Sequence, residues 1–273
     1  NNHLLPGLDP LGVPSNLKNT SFSFEYNDFS KLKKLVDSKN IGIIKMEVSR
    51  STQPNINFLK KVRNLASKKN IVLIFDECTS GFRETFGGLH KKFAINPDIA
   101  IFGKALGNGY AITAVLGKKS LMKYAESSFI SSTFWTERIG PTAALKTLEI
   151  MEKEKSWDKI TNIGKYIKNQ WKKISKKYQI NMNISGISAL SSFTFSSKNN
   201  IKYKTLVTQE MLKRGFLASN TLYVCTEHNK VIVNEYLSHL DDIFKLIKEC
   251  EDGRSIDSLL ENQVSKSGFD RLN

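Results

Sequence analysis

The sequence is poor in the residues that staple or chelate a small fold. Its three cysteines, Cys78, Cys225 and Cys250, are an odd number with no short spacing among them. That excludes a disulfide framework and a zinc cluster, and it fits a reducing compartment, so a cytoplasmic location is expected. Four scattered histidines (His3, His90, His228, His239) form no metal-ligand pattern, and no metal is expected. No uninterrupted apolar run approaches the roughly 18 residues of a membrane-spanning helix. The opening Asn1-Asn2-His3-Leu4-Leu5-Pro6 lacks the basic, apolar and small-residue succession of a secretory leader. It also lacks a methionine, from which the expectation follows that the chain begins downstream of its natural start.

Basic charge is plentiful. Forty-one Lys and Arg against 26 Asp and Glu leave a net charge of +15, enough for non-specific attraction to phosphate backbones. The lysines are nevertheless spread along the chain. Where they are densest, over 165–177, they surround Ile167, Trp171 and Ile174 as the wet face of an amphipathic helix. No dedicated nucleic-acid partner and no membrane partner is expected. With 40% hydrophobic and 10% aromatic residues, the composition is that of a globular protein with a sizeable core.

From about residue 30 to 120, helical periods alternate with short β-branched runs. Asp28-Phe29-Ser30 opens a helix, 41–47 reads as a buried strand ending on Glu47, and 57–68 is helical through Phe58, Val62 and Leu65. The runs 71–75, 98–102 and 111–117 read as further strands. This alternation predicts an α/β fold with a mixed, mostly parallel sheet covered by helices on both faces. Past Pro141 the pattern changes to helices over 142–154, 158–178, 204–214 and 237–250, with strands at 191–195, 221–225 and 230–234. The expected division is therefore 1–145 as part of a large domain, 146–250 as a smaller α+β domain and 251–273 as a polar, fraying tail with a short helix near 256–260.

Two side chains end consecutive buried strands: Asp76, after Ile71-Val72-Leu73-Ile74-Phe75, and Lys104, after Ile99-Ala100-Ile101-Phe102-Gly103. In an open α/β sheet ligands gather at the carboxyl ends of strands, so both would face one crevice. A lysine amine can form a Schiff base with a carbonyl, and a carboxylate can hold the proton of a pyridine nitrogen. Spacing alone leaves plainer readings open, since an Asp-Glu after a strand also serves as a cap or as a metal or nucleotide ligand. A lysine in a glycine-rich turn is also commonly just solvated.

The longer motif is more specific. Leu73-Ile74-Phe75-Asp76-Glu77-Cys78-Thr79-Ser80-Gly81-Phe82-Arg83, Pro97-Asp98-Ile99 and Gly103-Lys104-Ala105-Leu106-Gly107-Asn108-Gly109 follow one another as in the class III aminotransferases, which depend on pyridoxal 5'-phosphate (PLP). The resemblance continues through Ser131-Ser132-Thr133-Phe134-Trp135 and, more weakly, to about residue 250. Within the class it is closest to the glutamate-1-semialdehyde aminomutase-like branch. It implies the type I fold of PLP-dependent transferases, an incomplete large domain followed by a smaller one, and PLP as cofactor. The implied activity is amino transfer from a small-molecule donor to a keto or aldehyde acceptor. It also implies a homodimer of the full-length protein.

Carried over by residue, the resemblance implies that Lys104 is catalytic and binds PLP as a Schiff base, that Asp76 pairs with the pyridine nitrogen, and that Thr133 donates to the cofactor phosphate. Glu77 and Glu47 are either positioning residues or purely structural loop anchors. Arg83 meets either a substrate carboxylate or a structural salt-bridge partner. The sequence also departs from the family. Val48 replaces the proline that usually follows Glu47, and Trp135-Thr136-Glu137-Arg138-Ile139-Gly140-Pro141 stands where the aminomutase runs through Gly-Asn-Pro. The second departure turns the expectation from the aminomutase reaction toward an aminotransferase with another acceptor, a semialdehyde or a keto-sugar. No Ser/Gly-rich phosphate loop or stacking aromatic is recognisable, and 3–14 resembles a mid-chain loop. The alternative expectation is a truncated or split aminotransferase without activity of its own, acting at most as a binding or structural module.

Overall fold

The computed structural model describes residues 12–49, 51–131, 133 and 136–266. Most of the opening loop-like segment (residues 1–11), together with Ser132, Phe134 and Trp135, lies outside the described residues.

Asp28 starts α1 (Phe29–Ser38) by accepting a hydrogen bond from the Lys31 amide at 3.0 Å, which satisfies one of the free first-turn donors. Asn55 does the same for α2 (Ile56–Lys68), accepting from the Asn57 amide. Four strands form the first sheet in the order β1 (Ile43–Glu47), β2 (Val72–Asp76), β3 (Ile99–Phe102), β4 (Ala114–Gly117). The first two pairings are parallel and the third is antiparallel. Because side chains alternate along a strand, one register fixes both faces. Ile44, Met46, Leu73, Phe75, Ala100 and Phe102 share the buried face. Leu32 of α1 and Phe58, Leu59 and Val62 of α2 pack in the same core as Ile44, Met46, Leu73 and Phe75. The other face carries Ile43, Lys45, Glu47, Ile74 and Asp76, and Ile43 is largely exposed.

After β4 come α3 (Lys119–Glu126), which has no counterpart in the sequence-based expectation, and α4 (Ile139–Glu154). Residue 145 lies inside α4, so the expected domain limit falls within a continuous helix. The chain turns at Lys155, which is left-handed (φ 49°, ψ 47°), and enters α5 (Ser156–Lys177) directly. Ile160, Ile167, Trp171 and Ile174 form the buried stripe of α5, with most of its lysines on the wet side. A second, antiparallel sheet follows, with β5 (Met182–Ile187), β6 (Leu190–Phe195) and β7 (Thr221–Tyr223). Its core joins Trp171, Phe193, Leu206, Met211, Leu240 and Phe244, all fully buried, between the sheet, α5, α6 (Asn200–Lys213) and α7 (Lys230–Glu251).

Two expectations fail here. The strand expected at 230–234 is the opening of α7, because the Asn229 side chain accepts from the amides of Val231 and Ile232 and caps the β-branched run into a helix. The tail does not fray before residue 266. Ile256 is buried in the second core with Leu259 and Leu260 beside it, and Thr205 and Ser265 are hydrogen-bonded to each other. Among the described residues, no helix is long and apolar enough to cross a membrane.

Candidate active site

Parallel strands in register deliver their last residues to one edge. Glu47 lies opposite Asp76, and Asp76 opposite Ile101, two residues before Gly103-Lys104. The sheet thus brings Glu47 and Asp76 together and leads into Lys104. Asp76 Oδ2 lies 2.9 Å from Lys45 Nζ, and Oδ1 accepts from the Cys78 amide at 3.1 Å. Burial alone would push the Asp76 carboxyl up, but the Lys45 ammonium and the Cys78 amide outweigh it and hold it below the ordinary value. The group is therefore an anion at neutral pH, as a partner for a protonated ring nitrogen must be. Lys45 was missed in the sequence. Its signal is the two-residue period of β1, which puts it on the same face as Glu47.

Lys104 begins a 3₁₀ turn, Lys104–Leu106, with φ of +47°. A side chain in this left-handed region carries backbone strain, and here the surroundings impose it. Leu106 is buried behind the turn. At Gly107 an added Cβ would lie 2.2 Å from the Tyr110 carbonyl oxygen, so only glycine lets the turn close. Lys104 Nζ donates to Thr79 Oγ1 at 2.7 Å and, among the described residues, pairs with no carboxylate. Thr79, itself buried, lies inside the motif but received no role from the sequence.

Glu77 is fully buried and, among the described residues, makes no hydrogen bond to this amine. Its carboxylate accepts from the His90 amide and the Ser80 hydroxyl and contacts His90 Nδ1 at 2.9 Å. It clamps the two ends of the loop that carries Thr79 and Arg83. Glu47 ends β1 half-buried. Thr133 is exposed, and no hydrogen bond among the described residues ties it to Lys104 or Asp76. Among the described residues Arg83 makes no salt bridge. Its Nε donates to the Thr79 carbonyl at 2.7 Å, and its guanidinium lies 5.2 Å from the Tyr223 ring centre. Burial, reinforced by the Asp76 charge, pushes the Cys78 thiol up, which leaves it a poor nucleophile.

The site thus holds a strained lysine on a turn closed by glycine, one strand away from an ionised aspartate. The family model described as Aminotransferase class-III matches residues 51–245. The chain belongs to the class-III aminotransferases. Among its relatives, the 3-aminobutyryl-CoA aminotransferase of Cloacimonas acidaminovorans is 34% identical over 207 residues, covering 72% of this chain and 50% of the relative. The glutamate-1-semialdehyde 2,1-aminomutase of Methanosphaera stadtmanae is 26% identical over 256 residues, 85% of this chain and 60% of the relative. The FumI protein of Sphingopyxis sp. MTA144, solved in its PLP internal aldimine form, superposes with a TM-score of 0.80 at 19% identity. That match covers 88% of this chain and 60% of FumI. An omega-transaminase from Sphaerobacter thermophilus gives 0.77 at 17% identity, over 86% and 59%. At such identities the likeness establishes the fold, which this class-III chain shares with transaminases. The chain spans about half to three-fifths of the length of the curated relatives it matches.

Proposed function

We propose that this chain carries the lysine-bearing part of a PLP-dependent aminotransferase site, which moves an amino group from an amino donor to a keto or aldehyde acceptor. The observation that carries this reading is the pairing of two groups at one sheet edge. One is the Lys104 amine, held by the neutral Thr79 hydroxyl and by no carboxylate among the described residues. The other is the Asp76 carboxylate, kept ionised by Lys45 and the Cys78 amide. They match the two ends of a pyridoxal ring, an aldehyde that takes an amine and a ring nitrogen that takes a carboxylate.

Bound PLP supplies an electron sink for the pair left on the substrate carbon when its proton departs. The rest falls to the chain. The Lys104 amine would hold the cofactor covalently and would move the proton at the substrate carbon. Asp76 holds the proton on the ring nitrogen, and Thr79 aims the lysine. Glu77 keeps Thr79 in place through the loop it clamps, and Glu47 flanks Asp76. Thr133 donates to the cofactor phosphate, a role resting on the family resemblance, in a homodimer of the whole protein. The acceptor is a semialdehyde or a keto-sugar-like carbonyl compound.

A chain without activity on its own is the second reading, in keeping with its covering 50% and 60% of the relatives it matches. The test is absorbance of the PLP-treated chain. A visible-edge band that is lost in Lys104→Ala, with the fold retained by circular dichroism, supports the Lys104 assignment. A band that survives Lys104→Ala refutes it. A band without turnover of any donor–acceptor pair supports the second reading.

A further inference from the structure

Asp76 is paired with a cation before any cofactor arrives. Its Oδ2 lies 2.9 Å from Lys45 Nζ, and its Oδ1 accepts from the Cys78 amide, so both oxygens are engaged. The pair is partly wet, with the Lys45 side chain 55% exposed and that of Asp76 23% exposed. Packing does not call for a lysine here. Along β1, Ile44 and Met46 enter the core while Ile43 and Lys45 stay on the exposed side, so what Lys45 contributes is its charge. Lys45, Glu47 and Asp76 also line one cavity of about 500 Å³, which leaves the ion pair bordered by open space. The other titratable groups around Asp76 are Glu47, opposite it in register on β1, the Cys78 thiol in the loop after β2, and the Lys104 amine on the turn after β3. Lys45 is the one of these that is in direct ionic contact with Asp76 among the described residues.

A positive charge close to a base disfavours its protonated form, and a carboxylate favours it. The ring nitrogen that Asp76 is proposed to hold is such a base, and once protonated it would be the second cation on one carboxylate. We infer that Lys45 is a positioning residue that shares Asp76 with the cofactor ring and so loosens the hold on the ring nitrogen's proton. Lys45 then acts in two opposed ways. In the cofactor-free chain its ammonium keeps Asp76 charged and in place, and toward the ring it spends part of that same charge. The strength of the electron sink follows from the balance, so Lys45 sets a property of the reaction without touching substrate. Both side chains are partly exposed, and water and salt screen the pair, so the expected effect is at the small end for neighbouring charges, about tenfold in proton affinity. The inference rests on the aminotransferase reading, because it needs the ring nitrogen at Asp76.

The test is nitrogen NMR of the chain loaded with PLP that carries an isotopic label at the ring nitrogen, titrated with pH. Lys45→Met keeps the length of the stem, removes the charge and, at a half-exposed position, leaves the core untouched. It should raise the proton affinity of the ring nitrogen about tenfold, which moves the titration midpoint up by about one pH unit. Lys45→Arg restores the charge and should bring the midpoint back to that of wild type. A role in folding alone would move neither midpoint. Equal midpoints in Lys45→Met and wild type, or a Lys45→Arg midpoint equal to that of Lys45→Met, overturn the inference. The Lys104-dependent absorbance band is recorded on each preparation. A band with an unmoved midpoint sinks the Lys45 role alone, and no band in wild type or either variant sinks the aminotransferase reading together with the role built on it.

Discussion

Replacing Glu77 by alanine should be the most damaging single change on the loop that serves Lys104. Glu77 is 0% exposed, and its carboxylate receives the His90 amide, the Ser80 hydroxyl and a contact from the His90 ring. Alanine removes all the acceptors at once. An orphaned buried donor costs about 1–3 kcal/mol, and the His90 amide and the Ser80 hydroxyl are both orphaned, so the expected loss is about 2–6 kcal/mol. Glutamine keeps one acceptor for the His90 amide, and the Ser80 hydroxyl can turn to accept, so Glu77→Gln should cost about 1–2 kcal/mol. Urea unfolding followed by circular dichroism reads both numbers as a shift in midpoint at constant slope. Because Thr79 rides on this loop, the alanine variant should also lose the Lys104-dependent absorbance band under conditions where it is still folded. Two variants within about 0.5 kcal/mol of wild type, the scatter of surface substitutions, would refute the clamp.

Two further outcomes follow from the packing and charges. The folded-state pKa of Asp76 is depressed, so its contribution to stability is present above the unfolded carboxyl value of 3.8 and is lost as the pH falls through the lower folded value. Lys45→Met removes the chief cause, and carboxyl-carbon NMR should show Asp76 titrating higher, with the acid limb of unfolding displaced to higher pH. In the second core, Leu240→Ala should cost about 2–5 kcal/mol, as expected for a fully buried leucine. Leu217→Ala, at 96% exposure, should stay within about 0.5 kcal/mol. Equal midpoints for these two variants would show that the α7 face is not the core described.

The strand ends were legible because an apolar run that stops on a charged residue leaves few alternatives. Ile71 to Phe75 must be buried, and Asp76 must not be buried unpaired. The same logic located Lys104, but not its partners. Lys45 lies inside the 41–47 run without a signal of its own, and only the pairing of β1 with β2 shows that its ammonium reaches Asp76. Thr79 lacked a signal because its role depends on a loop folding back beneath the β3 turn. The error at 230–234 was one of local preference. Lys230-Val231-Ile232-Val233 favours a strand by composition, yet Asn229 supplies a cap, and Val233, Tyr236, Leu237 and Leu240 recur at helical spacing against the core. Capping and burial outweighed β-branching, as they do when a helix has a face to bury.

The loop after Asp76 also links the second sheet to Thr79, which accepts from the Lys104 amine. Glu77 clamps the loop to His90 at one edge of the first sheet. Arg83 lies over Tyr223 of β7, Glu84 accepts from the Ser188 amide in the β5–β6 turn, and Phe86 packs on Trp157 of α5. At that turn α5 comes so close that a Cβ on Gly164 would stand 1.8 Å from the Ser188 carbonyl oxygen, so the turn has little room to yield. A shift of the second sheet would therefore press on this loop, whose Thr79 accepts from the Lys104 amine. The lysine's aim thus depends on residues across both sheets, so a substitution at Gly164, remote from Lys104 in the chain, should alter the reactivity of its amine as well as the stability of the fold.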